Sequence, residues 1–355
     1  MEKKEKITIK DIAKLAGTTA GTVDRVLHNR QEVSEKTREK VLKIIKEIGY
    51  EPNIVARSLA NKKNFTVSVL LPKITNANPF WQKPLDGIKR AEAEIQHFGF
   101  VFRYHLYDFL NKESFLAECT NILQTETDVV VMVPFFKKES ENFTKQLDFK
   151  QTPYIFIESK LPGTHYLSFI GQDAYQSGYT AGHLMNFLVP LEASVMIVNI
   201  TREFDNSNIL IERTNGFKSY FADKISNKEI NILQLEITDS SDSRNIILGN
   251  LLLSEKNIRG IFVPNSRSYI IANYLYDNNI NNIHLIGYDL IEKNIRFLKS
   301  GLIDFLISQR IEEQGYKSII NVFNHFLLKK DITQEILMPI DLVTKTNVDY
   351  HIHYK

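Results

Sequence analysis

The hydrophobic period changes near residue 64, and that change decides the architecture. Before it, apolar residues recur at intervals of three and four, the spacing of short amphipathic helices. Ile12, Ala13 and Ala16 share one face of a first helix that Thr8 opens and Gly17 ends. Val23, Val26 and Leu27 share a face of a second, behind Thr18-Thr19. Val41, Ile44, Ile45 and Ile48 do so on a third, which Ser34 caps and Gly49 stops. A break at Tyr50-Glu51-Pro52-Asn53 precedes a short helix candidate over 54–60 and the polar linker Asn61-Lys62-Lys63-Asn64. From 65 onward short apolar runs take over. Strands are expected at 67–71, 100–106, 129–133, 154–157, 168–170, 195–198, 232–236, 260–263, 284–286 and 304–308, with helices such as 83–97, 174–188 and 312–328 between them. Alternating strands and helices predict a mainly parallel, doubly wound sheet. About ten strands are too many for one compact sheet of that kind, which predicts two lobes. The expected fold is an all-α headpiece over 7–60 followed by a two-lobed α/β domain over 65–345.

Charge separates the same two parts. Residues 1–63 hold 15 Lys and Arg against 9 Asp and Glu, a net of +6, while the remaining 292 carry a net of −4. A small basic segment can exchange counterions on DNA for its own cations, although a solvated basic tail has the same composition. The single cysteine, Cys119, leaves no disulfide framework and no Cys-based zinc site, which suits a reducing cytoplasm. The charged start, Met1-Glu-Lys-Lys-Glu-Lys, has no apolar stretch behind it, so no secretion signal is expected. The longest apolar runs, such as 129–133, are too short for a bilayer, and no membrane partner is expected.

Two short helices joined by Ala16-Gly17-Thr18-Thr19, with a third across them, have helix-turn-helix geometry. The second helix would enter the major groove with Ala20, Gly21, Thr22 and Arg25 toward base edges. Arg25 can reach guanine or a phosphate, and Thr19 and Thr22 a phosphate or a base edge. Val23 and Val26 belong to the core. The run from Thr8-Ile-Lys-Asp-Ile-Ala to Val26-Leu-His-Asn29, then Val33-Ser-Glu-Lys-Thr-Arg and Asn53-Ile-Val-Ala-Arg-Ser-Leu-Ala60, resembles the lac/gal repressor family over all of 7–60. The resemblance implies a transcriptional regulator, expected to repress, bound as a homodimer to a near-palindromic operator in double-stranded DNA. Its DNA-contacting residues would be Thr8, Thr19, Ala20, Gly21, Thr22, Arg25, Asn29, Asn53, Ala56, Arg57 and Leu59. Leu59 would be the wedge of a minor-groove hinge helix. Asp24 departs from the family's usual Ser; it can pair with Arg25 or Arg30, or accept from a cytosine amino group.

The remainder resembles the periplasmic sugar-binding-protein fold that this family uses as its sensor. Asn76-Ala-Asn78-Pro-Phe80-Trp81 is similar to the aromatic segment that stacks on sugar rings in ribose-type binding proteins. Phe80 and Trp81 can equally be core residues of the first helix. The expected ligand contacts are Asn78, Phe80, Trp81, Glu158, Arg213, Asn265, Asp289 and Gln309, each also readable as a polar loop or core residue. Glu158-Ser159 stands where relatives carry Asp-Arg, and Ser266 where they tend to carry Asp. Asp173 is expected to cap the helix running through Gly178 and Gly182. The resemblance places 65–166 and roughly 304–328 in one lobe, with a second crossover near 290–306. The implied effector is a sugar or sugar derivative. No dinucleotide, P-loop, nucleophile-elbow or zinc-protease motif is present, so neither catalysis nor a cofactor is expected. His351 and His353 are read as a solvated terminus and no metal site is expected. The alternative is a cytosolic sugar receptor that regulates no operator.

Overall fold

The computed structural model describes residues 7–27, 30, 32–48, 50, 64–75, 79–201, 208–223, 230–238, 241–255 and 257–353. They divide into two compact units, Met1–Asn64 with Val322–Ile332, and Phe65–Asn321 with Thr333–Lys355.

In the first unit α1 (Ile9–Ala16), α2 (Ala20–Leu27) and α3 (Glu35–Glu47) close on a small core. Thr8 donates its amide and its hydroxyl to Asp11 Oδ2 at 2.8 and 2.6 Å, which pins the first turn. These bonds hold the Asp11 carboxyl below its ordinary range. Gly17 takes φ 65°, and this left-handed residue turns the chain from α1 toward α2. Thr19 caps α2, its hydroxyl accepting from the Thr22 amide at 3.1 Å. Ile12, Ala13, Ala16, Val23, Val26 and Val41 are buried, and Ile44, Ile45 and Ile48 pack at the margin of that core. Gly49 and the helix candidate over 54–60 lie outside the described residues.

The second unit holds two six-stranded sheets. The first contains β1 (Phe65–Pro72), β2 (Phe100–Tyr107), β3 (Val129–Met132), β4 (Tyr154–Ile157), β5 (Ser168–Gly171) and, from far along the chain, β11 (Glu335–Leu337), all parallel. The second contains β6 (Ser194–Thr201), β7 (Asn231–Thr238), β8 (Ile258–Phe262), β9 (His284–Tyr288), β10 (Phe305–Ser308) and an antiparallel β12 (Asp341–Val343). Inner strands β3 and β4 are buried at every position, as sheets covered on both faces require. Edge strand β7 alternates its exposure and keeps only Ile237 fully inside. Helices α4 (Gln82–Ile95), α5 (Lys112–Gln124) and α6 (Lys137–Phe149) belong to the first sheet. Helices α7 (Ala174–Leu188), α8 (Asn208–Asp223), α9 (Ser241–Ser254), α10 (Ser268–Asp277) and α11 (Glu292–Ser300) go with the second; α12 (Ile311–Phe326) returns to α4, and α13 (Val348–His353) ends the described chain. Among the described residues no helix is long and apolar enough to cross a membrane.

The expected lobe boundaries need correction. The segment near 304–308 lies in the second lobe: Leu306 pairs with Gly287 of β9 and with Val343 of β12. Strand β5 stays in the first lobe beside β4. The chain therefore crosses three times, at 172–173, 309–310 and 338–340. An apolar run reveals that a strand is buried but not which sheet buries it. The three crossovers are tied together: Gln172 Nε2 donates to Ser308 O at 3.2 Å and to Pro339 O at 2.8 Å, and Arg310 grips the Asp341 carboxylate through two nitrogens.

Asp173 caps α7 as expected, accepting from the Gln176 amide at 2.8 Å. Helices α7 and α8 then approach so closely that a Cβ on Gly178 would lie 2.0 Å from Arg213 O, and one on Gly216 1.9 Å from Tyr175 O. Only hydrogen fits there. Gly178→Ala is expected to destabilise the protein by roughly 1–3 kcal/mol through overpacking. Gly21→Ala, whose nearest contact is Thr19 Oγ1 at 3.8 Å, is expected to be neutral or stabilising. Urea unfolding of the two variants beside the parent checks both outcomes.

Candidate effector cleft and nucleic-acid interface

A cleft of about 860 Å³, open solvent included, lies within the second unit where loops of both sheets face each other. Every wall segment follows the C-terminal end of a strand or opens the helix behind it, the position at which doubly wound sheets take ligands. Phe80 and Trp81 come from the single turn Pro79–Trp81 after β1. Both are buried, with their rings 5.0 Å apart edge to face, and Trp81 also meets Phe135 at 6.4 Å. Glu158 follows β4, Asn265 follows β8, Asp289 follows β9, Gln309 follows β10, and Arg213 stands in the second turn of α8. Seven of the eight expected ligand residues thus line one cavity; Asn78 lies outside the described residues.

The floor of the cleft is a buried polar network. Arg213, 2% exposed, donates from Nη1 to Pro264 O at 2.9 Å and from Nη2 to Gln309 Oε1 at 3.1 Å. Its guanidinium lies 3.7 Å from the centre of the Tyr288 ring, a cation–π contact in a site shielded from water. Gln309 passes the connection on, donating Nε2 to Asp289 Oδ1 at 3.0 Å. Burial pushes the Asp289 carboxyl up to about 6, with Arg213 and the Gln309 bond pulling the other way. Arg213 Nε is buried with no hydrogen-bond partner among the described residues. Asp289 and Glu158 take φ 69° and 71°, left-handed conformations that cost roughly 1–3 kcal/mol each in non-glycine residues and gather at binding sites.

Asn265 is more committed than the sequence suggested. Its Nδ2 donates to Ile200 O at 2.8 Å and its Oδ1 accepts from the Arg267 amide at 3.1 Å, so it shapes the loop it sits on. Ser159, which stands beside Glu158 where relatives carry Asp-Arg, also lies on the cleft wall; so do Phe109, Phe135, Lys137, Lys160, Asn208 and Arg267, none of them among the expected contacts. No motif marks them. Their one legible signal is position, a few residues beyond an apolar strand or at the start of a helix.

On the headpiece, α2 turns Val23 and Val26 inward and leaves Gly21 and Arg25 exposed, with Thr22 half-buried. Thr8 and Thr19 are exposed, but their hydroxyls already serve the caps of α1 and α2. Of the two cations proposed for Asp24, Arg30 is the partner, at 3.9 Å; Arg25 instead meets Glu32 at 3.3 Å across the following loop. That exposed pair is worth at most about 1 kcal/mol, so a phosphate or guanine can displace it. Asn29, Asn53, Ala56, Arg57 and Leu59 lie outside the described residues.

A helix-turn-helix headpiece ahead of two doubly wound lobes defines the class: regulators that carry a DNA-binding unit and a binding-protein-like sensor in one chain. Residues 8–53 match the bacterial regulatory proteins of the lacI family, and residues 68–329 match a periplasmic binding protein domain. A crystal structure from Bacteroides fragilis, assigned as a LacI transcriptional regulator, is 32% identical with a TM-score of 0.74, over 81% of this chain and 99% of that one. The chain belongs to the lacI family of bacterial regulatory proteins. The HTH-type transcriptional regulator MalR of Streptococcus pneumoniae is 28% identical over 178 residues, 49% of this chain and 52% of that protein. Catabolite control protein A of Staphylococcus xylosus is 46% identical over 127 residues, 36% of this chain and 37% of that protein. The chain spans about half the length of the curated relatives it matches. The glucose-galactose binding protein GanP of Geobacillus stearothermophilus, 19% identical at a TM-score of 0.70 over 81% of this chain and 99% of that one, shares the fold.

The raised Asp289 carboxyl has a consequence for stability. Its folded value, about 6, exceeds an unfolded one near 3.9, so the folded state loses stability as pH rises from about 4 through 6. Above that window the burial costs roughly 3 kcal/mol. Asp289→Asn is expected to unfold later than the parent at pH 7.5, by up to about that amount, with the gap closing toward pH 4. Denaturant titrations at both pH values check this; an earlier-unfolding variant at pH 7.5 would mean that Arg213 compensates the carboxylate fully.

Proposed function

We propose that the chain binds a near-palindromic operator as a homodimer and that a sugar-class effector in the cleft controls its operator affinity. The observation that carries the reading is the Arg213–Gln309–Asp289 network, because Gln309 belongs at once to the cleft floor and to a crossover between lobes. A ligand that bonds Arg213 or Asp289 acts on the strand about which the lobes would rotate. Phe80 and Trp81 supply apolar ring faces for the C–H face of a sugar, while Asp289 and Arg213 supply an acceptor and a donor for its hydroxyls. Binding shifts operator affinity only if the effector prefers one lobe arrangement over the other.

On the DNA side, α2 enters the major groove and Arg25 leaves Glu32 for a guanine or a phosphate. Thr19, Ala20, Gly21 and Thr22 line the same end of α2, with Thr8 beside α1 and Asn29, Asn53, Ala56, Arg57 and Leu59 completing the family's contact set. Two copies reading half-sites account for a palindromic operator, and the working compartment is the cytoplasm. Repression is the direction in which such a chain acts.

The purified full-length chain is expected to enrich discrete genomic fragments in a selection experiment. Arg25→Ala is expected to weaken binding to the enriched fragment by roughly 10- to 100-fold in a mobility-shift assay, with an unchanged far-ultraviolet circular dichroism spectrum. Unchanged affinity in that variant, or no enrichment by the parent, removes the operator reading.

A further inference from the structure

Asn294 stands in the first turn of α11 and is fully buried. A buried carboxamide needs partners at both ends, and here both ends are in use. Its Oδ1 accepts from the Tyr269 amide at 2.9 Å. That amide belongs to the first turn of α10, where Arg267 at the cap position gives no side-chain bond. Its Nδ2 donates to three main-chain carbonyls, Ser266 O and Tyr288 O at 2.9 Å and Asp289 O at 3.1 Å. An amide nitrogen with two hydrogens reaches three acceptors only by sharing one of them.

The carbonyls it joins belong to the cleft. Ser266 and Asp289 both line it, and Asn265 and Arg267 flank Ser266 on the same wall. The Tyr288 and Asp289 carbonyls sit in the two peptide planes on either side of the Asp289 Cα. Each peptide is planar, so holding both planes fixes the two dihedral angles between them. Asp289 needs such a hold, because its φ of 69° is a conformation that a non-glycine residue keeps only when its surroundings enforce it. Its amide is held as well, donating to Ile307 O at 3.0 Å. With the backbone fixed at three points the Cα–Cβ direction is set, and the carboxyl lies where Gln309 Nε2 meets it at 3.0 Å. An acceptor ordered before the ligand arrives spares the ordering cost on binding.

We propose that Asn294 is a positioning residue of the cleft: by clamping both peptides that flank Asp289 and the Ser266 carbonyl, it presents the Asp289 carboxyl to the effector and fixes the Asn265–Arg267 loop beside it. The inference rests on the reading of Asp289 as a ligand contact, and adds to it a residue behind the cleft wall.

The test needs no ligand, so its outcome is separate from whether the effector is a sugar. The Asp289 carboxyl is titrated by carbon-13 NMR on the full-length chain labelled at aspartate, its resonance identified by its loss in Asp289→Asn. Burial raises this carboxyl to about 6, while Arg213 and the Gln309 bond act to lower it. In Asn294→Ala the released loop lets water reach the carboxyl, and its pKa is expected to move most of the way to the ordinary value of about 3.9. A crystal structure of the variant is expected to show Asp289 outside the left-handed region. Asn347→Ala is the control: it too removes a loop-tying asparagine of the second lobe, one whose side-chain bonds among the described residues stay within 342–347. It is expected to leave the Asp289 titration unmoved. Should Asn294→Ala fail to fold, Asn294→Ser, which keeps one hydroxyl donor, is read in the same way. An unchanged Asp289 pKa in the folded variant, an Asp289 that stays left-handed, or an equal shift in Asn347→Ala each overturns the inference.

Discussion

The cleft is organised around one buried cation. Arg213 has lost nearly all its water, and an arginine so placed must be compensated within the protein. The Tyr288 ring covers its face, Pro264 takes one nitrogen and Gln309 another. Tyr288 is fixed in turn by Ser177, its hydroxyl 2.9 Å from Ser177 Oγ, and burial keeps the phenol in its neutral form. The close α7–α8 approach at Gly178 sets the height of the Arg213 backbone, so a glycine on one helix fixes the reach of a charge on the next. Asp289 completes the arrangement at the expense of its own ionisation. The protein keeps a destabilised carboxylate where a ligand can use it, as binding sites commonly do.

That network also joins the two lobes mechanically. Gln309 O accepts from Gln314 Nε2 at 2.8 Å, and Gln314 Oε1 accepts from the Glu158 amide at 2.9 Å, so floor, crossover and the β4 loop are bonded in series. Gln172 does the same for all three crossover segments from the other side. Its own Oε1 is buried with no hydrogen-bond partner among the described residues. Arg213 and Asp289 each bond Gln309 directly, so the cleft floor connects to a crossover without a long relay of side chains.

Much of this was legible in the sequence, for reasons that differ by element. Val23 and Val26 were assignable to the core because the apolar residues of this eight-residue helix, Val23, Val26 and Leu27, fall on one face. The inner strands stood out as unbroken apolar runs, and the cleft residues Phe80, Trp81, Arg213, Asp289 and Gln309 were reached through family resemblance of short local motifs. Strands β11 and β12 were not foreseen: each is three residues long and only Met338, Pro339 and Ile340 separate them, too little for any period to register. The sheet that takes β10 was misassigned because pairing is a long-range choice that the local pattern does not encode. The Arg25–Glu32 pair spans a loop rather than a helical turn, so spacing rules could not find it. Lys137 was missed because an exposed lysine at a helix start looks ordinary until a cavity is placed beside it.

Occupancy of the cleft and affinity for DNA are, on this account, two readings of one equilibrium. Trp81 is the only tryptophan in the chain and lies on the cleft wall, so its emission reports occupancy directly. The decisive experiment titrates effector into the protein–operator complex while recording Trp81 fluorescence and the anisotropy of labelled operator together. The account predicts that both signals change over the same concentration range and saturate together. A saturating Trp81 signal with operator affinity unmoved would contradict it.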